Sequence, residues 1–88
     1  MRVEVRGRKV SLPREQAERA QALAAAEAGV SSSLRDVALV LDWALNSTRA
    51  VALRRSEARE LERLALRHPE LEGIVSALAS TRGDARAA

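Results

Sequence analysis

The sequence predicts a mainly α-helical fold with a short N-terminal β ribbon, and three observations support this. Residues 34–45, LRDVALVLDWAL, place apolar side chains at steps of three and four, which is the period of one helix face. Residues 2–12 instead alternate polar and apolar side chains, which is the period of a strand. The chain after residue 47 is rich in Ala, Leu, Glu and Arg, residues that favour helices.

Length and composition limit the class of protein. With 88 residues the chain forms one domain at most, and its core is small enough that we expect it to associate with a copy or a partner. It has no cysteine and one histidine, so a disulfide or a thiolate metal site is excluded and no cofactor is expected. No apolar run approaches the roughly 20 residues of a membrane span. The N-terminal sequence has no apolar signal region, so we expect a cytoplasmic protein.

Positive charge is concentrated in two segments. Residues 1–20 and residues 47–68 each carry six basic and three acidic side chains, and they flank a slightly acidic, apolar centre. Basic segments of this kind suit a polyanion such as DNA. The alternative interpretation is that the arginines only keep a small helical protein in solution.

The N-terminal strand segment changes parity at Gly7. Val3 and Val5 occupy odd positions, whereas Val10 and Leu12 occupy even ones, so one regular strand cannot place all four on one face. A type II′ turn at Gly7-Arg8 would pair Val5 with Val10 and Val3 with Leu12. The other solution is a break at Gly7, which leaves residues 8–12 as the strand and residues 1–6 as an arm.

Start and stop residues delimit the predicted helices. Pro13 suits the first turn of a helix, Gly29 suits its end, and the serines at 31–33 suit the cap of the next helix. Pro69 interrupts the helical pattern and opens a last, short helix. The predicted helices cover residues 13–28, 34–46, 48–67 and a short segment after Pro69, and residues 81–88 form a flexible tail.

No catalytic motif is visible in the sequence. The four glycines are scattered and form no phosphate-binding loop. The serines at 31–33 have no nearby histidine and acid pair, so a capping role is favoured over a nucleophilic one. We therefore expect that the chain is not an enzyme.

Three segments resemble the ribbon-helix-helix family of DNA-binding proteins: RKVSLP at 8–13, GVSSS at 29–33, and the apolar helix that runs to Leu45. The resemblance covers about half of the chain. It implies that two chains pair their strands into an antiparallel ribbon that enters the DNA major groove, while the second helices form the dimer core. It further implies a sequence-specific DNA-binding protein, a transcriptional repressor or regulator, that acts as a homodimer or higher homo-oligomer.

The same resemblance assigns roles to individual residues. It places Lys9 and Ser11 toward the bases, Arg6 and Arg8 at the edge of the ribbon, and a phosphate at the free N–H groups near Ser32 and Ser33. The dimer core that it implies consists of Val10, Leu12, Val37, Val40, Leu41 and Ala44. The DNA-binding and dimerisation region would be 1–46, followed by a helical extension at 47–80 that serves tetramerisation or binds another protein.

Two features of the chain depart from the family pattern. The first helix is rich in alanine where the family has more leucine. The Val3 and Val5 segment is additional, and an intrachain hairpin there would compete with the intermolecular ribbon.

Two other interpretations remain open at this point. Residues 34–53 also fit a helix-turn-helix, in which residues 46–55 with Arg49, Arg54 and Arg55 would form the recognition helix. The third interpretation is a helical adaptor that binds proteins and no nucleic acid. A steep dependence of binding on salt would favour either DNA interpretation, because phosphate neutralisation releases counterions.

Overall fold

The computed structural model describes the backbone of residues 1–87 and the side chains of residues 1–81. Two strands come first, then two helices, a third strand and two more helices, so the predicted fold class is confirmed. The elements are β1 (Arg2–Val5), β2 (Arg8–Ser11), α1 (Arg14–Glu27), α2 (Ser32–Leu45), β3 (Val51–Ala52), α3 (Arg55–Arg67), a 3-10 turn (Pro69–Leu71) and α4 (Glu72–Ala87).

The N-terminal segment folds back on itself as an antiparallel hairpin within one chain. β1 pairs with β2 in a register that sets Val5 opposite Arg8 and Val3 opposite Val10. The predicted register, Val5 with Val10, is therefore wrong, and so is the alternative of a free N-terminal arm. Because β1 already pairs with β2, the ribbon of this chain does not need a strand from a second copy.

The register follows from the turn at Arg6 and Gly7. Both residues have positive φ, 55° at Arg6 and 78° at Gly7. Positive φ at both central positions is the type I′ geometry, whose twist matches that of the flanking strands. The turn therefore begins one residue earlier than predicted, and this shift moves Arg8 to the position opposite Val5.

A third strand closes the other edge of the hairpin. β3 runs parallel to β1, with Val3 opposite Val51, and the sheet order is β2-β1-β3. The N–H of Leu53 donates to the carbonyl oxygen of Glu4 at 2.8 Å. The segment 46–54 is therefore a connection and a strand rather than helix, so the predicted recognition helix at 46–55 is wrong.

Helices α1 and α2 form a hairpin of their own. The buried stripe of α1 consists of alanines, Ala17, Ala20 and Ala24, and small side chains allow the neighbouring helix to approach closely. After α1 ends, the N–H groups of Val30 and Ser31 both donate to the carbonyl oxygen of Glu27. These bonds use an otherwise free carbonyl at the end of the helix and turn the chain into α2.

The chain covers the apolar face of α2 itself. Leu12, Val37, Leu41 and Ala44, four of the residues assigned to a dimer core, are buried within the single chain, whereas Val10 and Val40 are half-buried. Their cover comes from α1 and α3, both of which contact α2. A second copy is therefore not needed to bury these four residues.

One hydrophobic core unites the described part of the chain, from Val3 to Leu78. The N-terminal half contributes Val3, Val5, Leu12 and the buried face of α2, and the C-terminal half contributes Leu53, Leu61, Leu64, Leu71, Ile74 and Leu78. The buried residues of 1–46 and those of 47–80 therefore belong to the same core. Helix α4 runs through Ala87 where a tail was predicted, and Ala88 lies outside the described residues.

Candidate nucleic-acid interface

The hairpin presents a polar outer face. Residues directly opposite each other in the ladder share a face, so Glu4 and Lys9 lie together, as do Arg2 and Ser11. Arg2, Lys9 and Ser11 are exposed and Glu4 is half-buried, whereas Val3 and Val5 point to the core on the other side. The two residues that the resemblance directed at DNA bases, Lys9 and Ser11, are thus both exposed along the edge strand.

The turn of the hairpin adds positive charge beside this face. Arg6 and Arg8 are exposed on either side of Gly7. Arg6 holds a left-handed backbone conformation with φ of 55°, which costs a non-glycine residue roughly 1 kcal/mol. Asparagine or glycine would satisfy the same turn with less strain. The turn therefore keeps an arginine where turn chemistry alone favours another residue.

A second set of arginines lies along α3. Arg55, Arg59 and Arg63 are four residues apart, so they share one face of the helix, and all three are exposed. At the start of the helix the carboxylate of Glu57 accepts a hydrogen bond of 2.8 Å from the N–H of Arg54. This bond satisfies a free backbone donor and fixes the first turn from which Arg55 projects.

The hairpin turn and α3 enclose a shallow groove of about 210 Å³, which we call the arginine groove. Its charged lining consists of Arg6 from the turn and Arg59, Glu62 and Arg63 from α3. The remaining lining residues are Val5, Ala58, Leu78 and Thr81. Three guanidinium groups against one carboxylate give the groove a positive potential, and neutral walls of low polarity strengthen it.

Several of these cations have no intramolecular partner among the residues whose side chains are described. Arg63 donates to the carboxylate of Glu60 at 3.1 Å, an ion pair within α3. No such ion pair is found for Arg6, Arg59 or Lys9 in residues 1–81. Within residues 1–81, these three cations are therefore not neutralised by an ion pair.

Neither Ser32 nor Ser33 lines the arginine groove. Ser32 and Ser33 are exposed in the first turn of α2, as a phosphate site would require. Ser33 lines a small cleft with Ser56 and two acids, Asp36 and Glu57. Two nearby carboxylates disfavour a phosphate in this cleft.

The basic stripe of α3 is visible in the sequence, since its arginines from Arg55 to Arg67 are four residues apart. The glutamates between them offer internal ion pairing as one explanation. Only part of the stripe behaves in that way: Arg63 pairs with Glu60, and Arg67 pairs with Glu27 of α1. The adjacency of Arg59 and the hairpin turn depends on tertiary packing and has no local signature.

Other kinds of site find no support in the described part of the chain. Residues 1–81 contain no cluster of three His, Asp or Glu side chains arranged to hold a metal ion. None of the described helices combines the length and the apolar character needed to cross a membrane. We find no match to this chain among protein-family models, curated proteins or solved structures. The fold and its surface define a small helical domain with a basic β-hairpin.

Proposed function

We propose that this protein binds double-stranded DNA through the hairpin and the arginine groove. The observation that carries the proposal is the position of Arg6, held in a strained turn beside Arg59 of α3, with Lys9 on the adjoining strand. Strained backbone conformations of this kind cluster at functional sites.

The shape of the basic surface favours a duplex over a small anion. The cations are spread over the outer face of the hairpin, its turn and α3, instead of converging on one enclosed point. The major groove of B-form DNA is wide enough to admit a two-stranded β ribbon. A hairpin of one chain already supplies both strands, so a single copy would suffice for the contact.

The two parts of the surface would have different tasks. Arg6, Arg59 and Arg63 would neutralise phosphates, which supplies affinity without regard to sequence. The side chains on the outer face of the hairpin would meet base edges, where Lys9 can donate to guanine and Glu4 can accept from the amino group of cytosine. A protein that occupies chosen sites in this way would act as a regulator.

The test is titration of a fluorescently labelled duplex, followed by anisotropy at several salt concentrations. The double variant Arg6→Ala/Arg59→Ala should bind at least tenfold more weakly at low salt. The slope of log K against log salt should become shallower by about 2, because each neutralised phosphate contributes about 0.9 to it.

The matched control removes two arginines of α1 that do not line the groove, Arg14 and Arg19. This control has the same net charge as the test variant, so a general charge effect would weaken both equally. Equal losses in the two double variants, or no binding of any duplex at low salt, would contradict the proposal. The absence of all DNA binding would instead favour the adaptor interpretation.

A further inference from the structure

The edge of the sheet along β2 is open. The sheet order is β2-β1-β3, so β1 pairs on both sides, whereas among the described residues β2 has a neighbouring strand on one side only. Every residue of β2 is exposed except Val10, which is half-buried. An open strand edge offers backbone N–H and C=O groups to a strand from outside the chain.

The pleat decides which backbone groups of β2 face outward. The N–H of Leu12 donates to the carbonyl oxygen of Met1 at 2.8 Å, and the amine of Met1 donates to the carbonyl oxygen of Leu12 at 3.1 Å. Alternate residues of an antiparallel pair make such bonds, so Val10 also faces β1. The backbone groups of Lys9 and Ser11 therefore face away from β1, into the open edge.

A bond on the other edge of β1 gives the same orientation. The carbonyl oxygen of Glu4 accepts a hydrogen bond from the N–H of Leu53, directly after β3, so Glu4 faces away from β2. Lys9 is the ladder partner of Glu4, and opposite residues of an antiparallel pair face either toward each other or away together. Among the described residues we find no acceptor for the N–H of Lys9 or of Ser11.

The charge around this edge is mainly positive. The hairpin carries four basic side chains, Arg2, Arg6, Arg8 and Lys9. The described acids of the two elements that pack against β2 are Glu4 of β1 and Glu72 of α4. A second copy paired along β2 would set basic strands against each other, and like charges on neighbouring strands are destabilising. A strand that carries carboxylates is complementary to this edge.

We propose that the edge of β2 binds an extended acidic segment of a partner protein, which joins the sheet as a fourth strand. The backbone of this segment would bond to the outward N–H and C=O groups of Lys9 and Ser11. Neighbouring residues of a sheet share a face, so carboxylates of the segment would lie beside Lys9. Its alternate side chains would lie beside Val10, which packs against the core, and would be apolar. The partner segment therefore alternates acidic and apolar residues.

This inference does not rest on the proposed DNA binding. It uses the backbone edge of β2, and none of the residues that line the arginine groove belongs to β2. The two proposals share the side chain of Lys9, so the experiments separate its backbone from its charge. They use peptide alone, and their outcome is the same whether or not the protein binds a duplex.

The probe is a fluorescently labelled peptide of about nine alternating glutamate and valine residues, long enough to span β2. Anisotropy should show binding with a Kd of about 100 µM. The matched peptide with lysine in place of glutamate should bind at least tenfold more weakly. Two further peptides carry N-methyl groups on all glutamate amides or on all valine amides. Because only one edge of an added strand faces β2, one methylated peptide should lose at least tenfold in affinity and the other should not.

Hydrogen exchange of single amides measures the edge directly. In the free chain the amides of Lys9 and Ser11 should exchange faster than those of Val10 and Leu12, and the peptide should slow them at least tenfold. Lys9→Pro removes the outward N–H and leaves the bonds to β1, whereas Lys9→Ala removes only the charge. Lys9→Pro, shown to be folded by circular dichroism, should bind the peptide more weakly than Lys9→Ala.

Four outcomes would overturn the proposal. The first is no binding of the acidic peptide at about 1 mM protein. The second is equal binding of the lysine peptide, which would show that charge does not select the partner. The third is equal binding of both methylated peptides and the parent, which would exclude backbone pairing even if Lys9→Pro does not fold. The fourth is slow exchange of the Lys9 and Ser11 amides in the free chain.

Discussion

The carboxylate of Glu27 accepts a hydrogen bond of 2.9 Å from the guanidinium of Arg67, forty residues away in the sequence. Glu27 is the last residue of α1 and Arg67 is the last residue of α3, so the pair joins the C-terminal ends of two helices. The second carboxylate oxygen lies 3.6 Å from Nε2 of His68. A negative charge is unfavourable at a helix C-terminus and a positive charge is favourable there, so the two partners are not equivalent.

Because the two partners are not equivalent, removing one should lower the free energy of unfolding more than removing the other. Arg67→Ala should lower the free energy of unfolding by about 0.5–1 kcal/mol, because it removes a favourable end charge and leaves Glu27 at its helix end without Arg67. Glu27→Ala should lower the free energy of unfolding by less, since it loses the ion pair but also removes an unfavourable negative charge from the C-terminus of α1. Urea denaturation of both variants, repeated in about 1 M NaCl to screen the charges, measures the difference. A larger cost for Glu27→Ala would contradict the interpretation.

The hairpin turn predicts that stability and binding can be separated at Arg6. Arg6→Asn should raise the free energy of unfolding by about 0.5–1 kcal/mol, because asparagine followed by glycine suits a type I′ turn. The same change should weaken DNA binding, since it removes a cation from the arginine groove. The control Arg2→Asn changes an exposed arginine in extended backbone and should not stabilise the fold. If Arg6→Asn strengthens DNA binding, Arg6 does not have the role proposed for it.

Gly73 of α4 lies close to the start of α1. A Cβ atom at this position would lie 2.7 Å from Oε1 of Gln16 and 2.9 Å from Cγ of Pro13. The same Oε1 accepts a hydrogen bond of 3.2 Å from the N–H of Ile74, which is otherwise a free donor in the first turn of α4. An added methyl group would therefore displace the side chain that satisfies this turn.

Gly73→Ala should lower the free energy of unfolding by about 1–3 kcal/mol, the usual cost of overpacking with the loss of a hydrogen bond. Gly29→Ala is the matched control, because a Cβ added there would meet nothing within 4 Å and the φ of Gly29 is not positive. That variant should be neutral or slightly stabilising through the unfolded state. Thermal unfolding of both variants tests this difference in stability, and equal melting temperatures would contradict the close approach at Gly73.

The sequence predicted the elements whose signals are local. The period of residues 34–45 predicted α2, and Pro13 and Gly29 predicted the limits of α1 to within about two residues. The strand at Val51–Ala52 was missed because its hydrogen bonds reach β1, nearly fifty residues earlier, whereas its own composition favours a helix. The periodicity of a segment indicates which of its faces is buried, but it does not indicate with which distant segment it pairs.

The candidate site likewise combines features that the sequence predicted with features that depend on tertiary packing. The exposure of Lys9 and Ser11 follows from strand alternation, so the sequence predicted it. The arginine groove needs the turn to begin at Arg6 rather than Gly7, and it needs α3 to pack beside the hairpin. The position of the turn depends on a choice between two turn types whose starting points differ by one residue. The packing of α3 beside the hairpin depends on Leu61 and Leu64, which are buried in the common core.

The two faces of α2 predict opposite responses to the same substitution. Leu41→Ala should cost about 2–5 kcal/mol, because Leu41 is fully buried and the chain cannot close the cavity. Leu39→Ala, on the exposed face, should change the stability of the monomer by less than about 0.5 kcal/mol. Urea denaturation of both variants measures the two changes. A large loss in Leu39→Ala and none in Leu41→Ala would reverse our assignment of the core face.

Glu70 predicts a dependence of stability on pH. Its own backbone N–H, at the start of the 3-10 turn, holds the pKa of this carboxyl below its ordinary value of 4.5. The hydrogen bond from Arg19 at 3.4 Å and the charges of His68 and Arg19 act in the same direction. Because the pKa is lower in the folded state, Glu70 contributes stability above about pH 4.5, and the contribution disappears as the pH falls through the lowered pKa.

Glu70→Gln should therefore be less stable than the wild type at pH 7, and the difference should shrink toward pH 3. The effect is small because the carboxylate is exposed and solvent screens it. Urea midpoints at pH 7, 5 and 3 give the comparison, and Glu18→Gln serves as the control for the loss of one exposed carboxylate from α1. A difference between Glu70→Gln and wild type that grows as the pH falls would have the wrong sign. It would mean that the contacts of Glu70 stabilise its protonated form, contrary to the donors that surround it.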